Sequence, residues 1–310
     1  MHRITDYKFY TKILKEAFNA FIDDKGLKLS ASLAYYTIFS LAPMLIVLLS
    51  VGGIFYGHDA LQGKIFRELN DFIGNDAAMQ IETTIKKLAL SGKSNVAIIT
   101  GIVTLLIGAS GVFVEIQDSI NEIWRVKAVP KKGWVKLIVN RIISLSMVAS
   151  LGFLLIVSLM INSVVLVFST ELARILPEFI MVFFDAINFI ITFLVLMSLF
   201  AIIYKVLPDV EIEWKNVKAG SFFTAVLFML GKYLIGFYIA LAGIGSIYGA
   251  AGTIIIIAVW VYYSAAILFF GAEFTWSYAK VKGLHIRPSK YAVSVKKIEV
   301  EQGKKPVDLS

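Results

Sequence analysis

The chain has no cysteine, so disulfides and thiolate-held metals are excluded and the redox compartment is left open. Histidine is scarce as well. The three present, His2, His58 and His285, stand in three separate polar segments, so they cannot converge on one metal-assisted hydrolytic centre. There is no glycine-rich phosphate loop ending in Gly-Lys-Ser/Thr, so the phosphate cradle of an ATP-driven motor is missing. Charged residues make up only 17% of the chain, against about 25% in soluble domains. The first 30 residues lack an apolar run of about 7–15 residues followed by a small-residue cleavage site, so no cleaved leader is expected.

What the chain has in quantity is apolar sequence. It is 58% hydrophobic with a mean hydropathy of +0.78, the composition of a polytopic membrane protein. The net charge of +8 does not point to nucleic acid. Its Lys and Arg lie beside apolar runs, where they set orientation or meet anionic lipid head groups.

Taken in order, Tyr7, Tyr10, Leu14, Phe18 and Phe21 recur every three or four residues with Lys8, Lys12 and Lys15 between them. That spacing predicts an amphipathic helix lying flat on the membrane surface within a cytoplasmic segment, residues 1–28. A six-helix transmembrane domain, residues 29–280, follows. Its first span, about residues 30–56, contains Pro43 and carries Ser32, Tyr36 and Ser40 on one face. Such a stripe serves either helix packing or a cavity. Residues 58–94 read as an outer helical hairpin outside the membrane.

The second span ends at Glu115. Ala97, Gly101, Thr104, Gly108 and Gly111 all fall within about 40° of that acid on a helical projection, a face nearly bare of side chains. Asp118, Asn121 and Glu122 continue the polar face, and the basic, Trp-containing stretch 124–136 reads as interfacial. Spans three to five fall at about 141–168, 179–204 and 217–241, the last carrying Lys232 towards its outer end. Span six is uncharged from Thr253 to Gly271 and then meets Glu273, with Tyr262 and Ala266 on the same face. The tail, residues 281–310, is basic and polar and is expected to be disordered. The class is therefore all-α.

Orientation follows from charge. Of 30 Lys and Arg, 23 fall in segments on the side of the termini and 6 on the other, which places both termini in the cytoplasm. Glu115 and Glu273 then both lie near the cytoplasmic face. They either anchor helix ends in hydrated interface or line a water-filled cavity with Tyr36.

At this point four ordered blocks resemble the YihY/BrkB family of bacterial inner-membrane proteins. They are LSASLAYYTIFSLAPMLIVLLS (Leu29–Ser50), GASGVFVEIQDSINEIW (Gly108–Trp124), LPDVEIEWKNVKAG (Leu207–Gly220) and YGAAGTIIIIAVWVYYSAAILFFGAEF (Tyr248–Phe274). The resemblance covers about residues 15 to 280. Ala42 stands where the family usually has phenylalanine, and Ala250 where serine is common. The family's activity is poorly defined. Its members are described as transporters tied to serum resistance, envelope lipid homeostasis and movement of lipid A precursors, and were once mislabelled ribonuclease BN.

Two functions follow as expectations, neither of them enzymatic and neither needing a cofactor or metal. The first is transport of a lipid or lipid-like amphiphile in the bacterial cytoplasmic membrane. Glu115, Glu273, Tyr36, Asp118, Asn121 and Tyr262 would meet the head group, Phe269, Phe270 and the Gly101, Gly108 and Gly111 face the tails, and Lys232 the outer end of the path. The second is a membrane scaffold for an envelope-biogenesis partner, with no nucleic acid in either case. Topology is directly testable. Single cysteines introduced into the 58–94 segment should react with an impermeant reagent from outside, and cysteines in the tail should not; the reverse labelling inverts the assignment.

Overall fold

In the computed structural model, the structure describes residues 7–40, 111–129, 177–242, 250–284, 286–296, 298–299 and 307–308. Helix α1 is Tyr7–Asp23, α2 covers residues 26–40 and α3 residues 111–123. Strand β1 is Val126–Ala128, α4 Pro177–Val206, β2 Val210–Glu211, α5 Trp214–Ala242 and α6 Ala250–Val281. Strands β3 (Arg287–Pro288), β4 (Ala292–Ser294), β5 (Ile298–Glu299) and β6 (Val307–Asp308) follow.

Among the described residues three helices are long and apolar enough to cross a membrane: Phe189–Val206, Trp214–Tyr238 and Ile255–Val281. They correspond to the fourth, fifth and sixth expected spans. The third span and the 58–94 hairpin lie outside the described residues, as do most of the first and second. The described part is mostly helical, but it is not purely so. Three two-stranded antiparallel sheets, β1–β4, β2–β3 and β5–β6, correct the all-α reading. Two of them recruit the tail that was expected to be disordered, because its residues 287–294 find open backbone groups at β1 and β2 and satisfy them.

Helix α1 stops at a tight turn through Asp24 and Lys25. Lys25 takes a left-handed backbone (φ 56°) and closes the turn through its N–H to Ile22 O at 3.0 Å. The helix does not lie apart on a surface, however. Ile13 and Ala17 are fully buried with Phe274, Phe9 meets Tyr278 and Phe21 meets Phe270, so α1 runs antiparallel along the last third of α6. Tyr7, Phe18 and Ile22 remain exposed.

The transmembrane helices need a different adhesive, because lipid tails are as apolar as leucine and small residues and hydrogen bonds must draw helices together. Helices α5 and α6 cross through reciprocal Gly/Thr pairs. Thr275 of α6 sits over Gly220 of α5, and Thr224 of α5 over Gly271 of α6. A Cβ at Gly220 would lie 2.9 Å from Thr275 Cβ, and one at Gly271 2.9 Å from Thr224 Cβ. Each threonine hydroxyl donates to the carbonyl four residues back, Gly220 or Gly271, at 2.7 Å. Helix α4 joins at the same point: the buried Tyr204 hydroxyl donates to Leu268 O at 2.7 Å and lies 3.0 Å from Thr224 Oγ1. Ser221 and Ala225 of α5 are fully buried, whereas Gly236 faces open space.

Gly271→Ala should therefore destabilise the purified protein by about 1–3 kcal/mol through overpacking, read as a lower unfolding temperature in detergent. Gly236→Ala should leave it near the parent. Equal melting of the two variants would remove the crossing as the fastening point.

Candidate functional site

The end of α3 carries Gln117 and Asn121, four residues apart and hence on one face. Both are buried, and both aim at the loop between α4 and α5. There Asp209, also buried, follows Pro208, whose ring holds the chain out of helix. Asn121 Nδ2 donates to Asp209 Oδ2 at 2.8 Å, and Gln117 Nε2 to Oδ1 at 3.2 Å. The Asp209 N–H returns a bond to Asn121 Oδ1 at 2.9 Å. Ser289 N, in the tail, donates to Asp209 O at 3.0 Å. One loop residue thus ties α3, the α4–α5 connection and the tail together.

Two further ties surround it. Trp124, fully buried, donates its indole N–H to Ala272 O of α6 at 3.0 Å. Arg125 ends α3 in a left-handed conformation (φ 55°) and pairs with buried Asp24 at 2.8 Å, joining the α1–α2 turn to α3. Beside these an open cleft of about 340 Å³ is lined by Asp118, Asn121, Glu122, Arg125, Lys127 and Val295 among others.

The residues expected to form a pathway are distributed as follows. Glu273 is 1% exposed, in the middle of the buried stretch of α6. Glu115 is half-buried on α3, and Asp118 is exposed at the cleft. Asn121 lines the same cleft with its amide committed to Asp209. Tyr36 is exposed on α2, with its ring 3.4 Å from where a Cβ on Gly111 would stand, so this part of the small-residue face accommodates a tyrosine of the first span. Gly101 and Gly108 lie outside the described residues. Tyr262 is half-buried and Lys232 exposed on α5. Phe269 is fully buried in the core and Phe270 packs against Phe21 and Phe223, so Phe269 offers no surface to an acyl chain. Among the described residues no group of three His, Asp or Glu is placed to hold a metal.

Asp209, Gln117 and Asp24 escaped the sequence reading, and Trp124, read there as interfacial, is fully buried instead. Asp209 sits in a polar loop, where a carboxylate is ordinarily solvated. The available signal was the i, i+4 pair of neutral amides, Gln117 and Asn121, at the end of an apolar span, since buried amides need partners.

Residues 17–294 match the family described as Virulence factor BrkB. The chain belongs to this family. It is 32% identical over 263 residues to a UPF0761 membrane protein of Pseudomonas paraeruginosa, covering 81% of this chain and 59% of that one. A UPF0761 membrane protein of Verminephrobacter eiseniae is 30% identical over 275 residues, 87% of this chain and 62% of its own. The ribonuclease-like protein YfkH of Bacillus subtilis is 25% identical over 268 residues, 84% of this chain and 92% of its own. The chain thus spans about 59% of the length of the first of these relatives. No solved structure matches it. This BrkB-family chain is a membrane protein, as its apolar helices and its relatives both state.

In this BrkB-family chain Asp209→Ala would strand two buried amides, each at a cost of about 1–3 kcal/mol. The variant should unfold at a clearly lower temperature in detergent, with Asp209→Asn intermediate because it keeps one acceptor. Parent-like melting of both would show that the network does not hold the bundle.

Proposed function

We propose that this BrkB-family protein moves a lipid or lipid-like amphiphile in the bacterial cytoplasmic membrane, with both termini in the cytoplasm and without nucleotide, metal or covalent chemistry. The observation that carries the reading is Glu273: a carboxylate 1% exposed within a helix of membrane-spanning length. A charge inside a bilayer is costly, at least about 2.5 kcal/mol near the centre, and such residues mark substrate or proton paths. Glu115, half-buried on α3, and Asp118 at the cleft give a polar line along α3 towards the membrane end. A head group would follow that line while its chains stay in lipid. The 23-to-6 bias in Lys and Arg supports the orientation.

The ribonuclease-like name belongs to YfkH, and the three histidines of this chain stand far apart in sequence. Protein reconstituted in liposomes should accelerate movement of a fluorescent phospholipid between leaflets. Glu115→Gln with Glu273→Gln should slow that movement roughly tenfold or more, while leaving the melting temperature near the parent's. Parent-like transport by the folded double variant would leave the acids structural, and the scaffold for an envelope-biogenesis partner would replace transport.

A further inference from the structure

The β1–β4 sheet has one face down and one face out. Its register pairs Val126 with Ser294, Lys127 with Val293 and Ala128 with Ala292. Flanking bonds, Val295 N to Arg125 O and Val129 N to Tyr291 O, both at 2.8 Å, extend the pairing by one residue at each end. Side chains alternate across a strand, and directly opposed residues share a face. Val126 and Ala292 therefore turn to the core. Arg125, Lys127 and Val129 share the other face with Tyr291, Val293 and Val295. Val129, Tyr291, Val293 and Val295 are all exposed, the last three at 48%, 47% and 39%.

The position of this face along the bundle suggests what covers it. The Trp124 bond to Ala272 O sets the start of β1 beside α6 nine residues before Val281, or about 14 Å from its end. The apolar stretch Ile255–Val281 has 27 residues, about 40 Å of helix against ~30 Å of hydrocarbon, so an end of it stands among head groups. The tail is held at such an end: Ser289 N, bonded to Asp209 O, ties the residues just before β4 to the α4–α5 loop, which joins two membrane-length stretches at Val206 and Trp214. Tyrosine and valine beside lysine suit that zone, where an aromatic ring has one side in chains and one in water. Lys127 on the face, with Lys290 flanking β4, supplies positive charge. Asp118 and Glu122 belong to α3 and line the same cleft as Lys127 and Val295.

We propose that this face of the β1–β4 sheet rests on anionic phospholipid head groups of the leaflet on the side of the termini, so that the tail is a membrane-contacting element. The inference does not depend on transport. The chain has no native cysteine, so a single environment-sensitive fluorophore can be placed on Val293→Cys in the full-length protein in nanodiscs. Ser294→Cys, exposed on the opposite face, is the reference site, and Tyr291→Cys repeats the measurement should a label at 293 lower the melting temperature.

With phosphatidylglycerol present, the label at 293 should be blue-shifted and quenched by head-group spin labels, while that at 294 stays open to iodide. In phosphatidylcholine alone, or at high salt, the quenching at 293 should fall. Lys127→Gln and Lys290→Gln should each lower the ratio of lipid-contacting to water-exposed label roughly fivefold. Equal iodide access at 293 and 294, or quenching indifferent to lipid charge and to both lysines, would overturn the proposal. So would protection of 293 that persists in detergent without lipid, which would indicate a protein covering the face.

Discussion

A buried carboxylate has to be given donors, and in this protein that requirement organises one end of the bundle. Asp209 takes the amides of Gln117 and Asn121, gives its N–H to Asn121 and its carbonyl to Ser289. None of the three partner residues is near it in sequence; the fold brings them there. Meeting its needs brings α3 against the α4–α5 loop and pulls the tail across both. Once Ser289 is held there, Arg287 and Pro288 are in register with Val210 and Glu211, and Ala292–Ser294 can reach β1. The short sheets follow from that anchoring, since two-residue ladders are not stable by themselves.

Deeper along the helices polar ties give way to close approach. The Gly220/Thr224 and Gly271/Thr275 pairs let two backbones come near enough for many dispersion contacts, and the threonine hydroxyls stay satisfied within their own helices. Tyr204 adds α4 by bonding to Leu268 O. Helices α4, α5 and α6 so form one tightly fastened unit, with Phe223 stacked on Phe274 at 3.9 Å between ring centroids. The outward residues of α5, Tyr233, Leu234 and Phe237, remain exposed, as lipid-facing residues should.

Glu273 lies where these two regimes meet. It is one residue from the Ala272 carbonyl that holds Trp124 and two from the Gly271 that holds Thr224. Both of those neighbours are fixed by contacts with other helices. That is the setting in which a costly charge persists, and it is the reason a transport role is the reading preferred for it.

Much of this was legible in the sequence. The apolar runs of spans four to six and the helical spacing of residues 7–21 follow from composition and periodicity, both of which are local. Family membership was legible for the same reason, because contiguous blocks carry it. Tertiary structure alone decided what depends on partners distant in the chain. It turned α1 from an independent surface helix into one packed along α6, because Ile13 and Ala17 found Phe274. It made a folded sheet of a tail whose composition reads as disordered, because backbone donors and acceptors waited at residues 126–128 and 210–211. It buried Asp209, a loop carboxylate that local sequence would leave in water, because the amides that bond it sit 88 and 92 residues away.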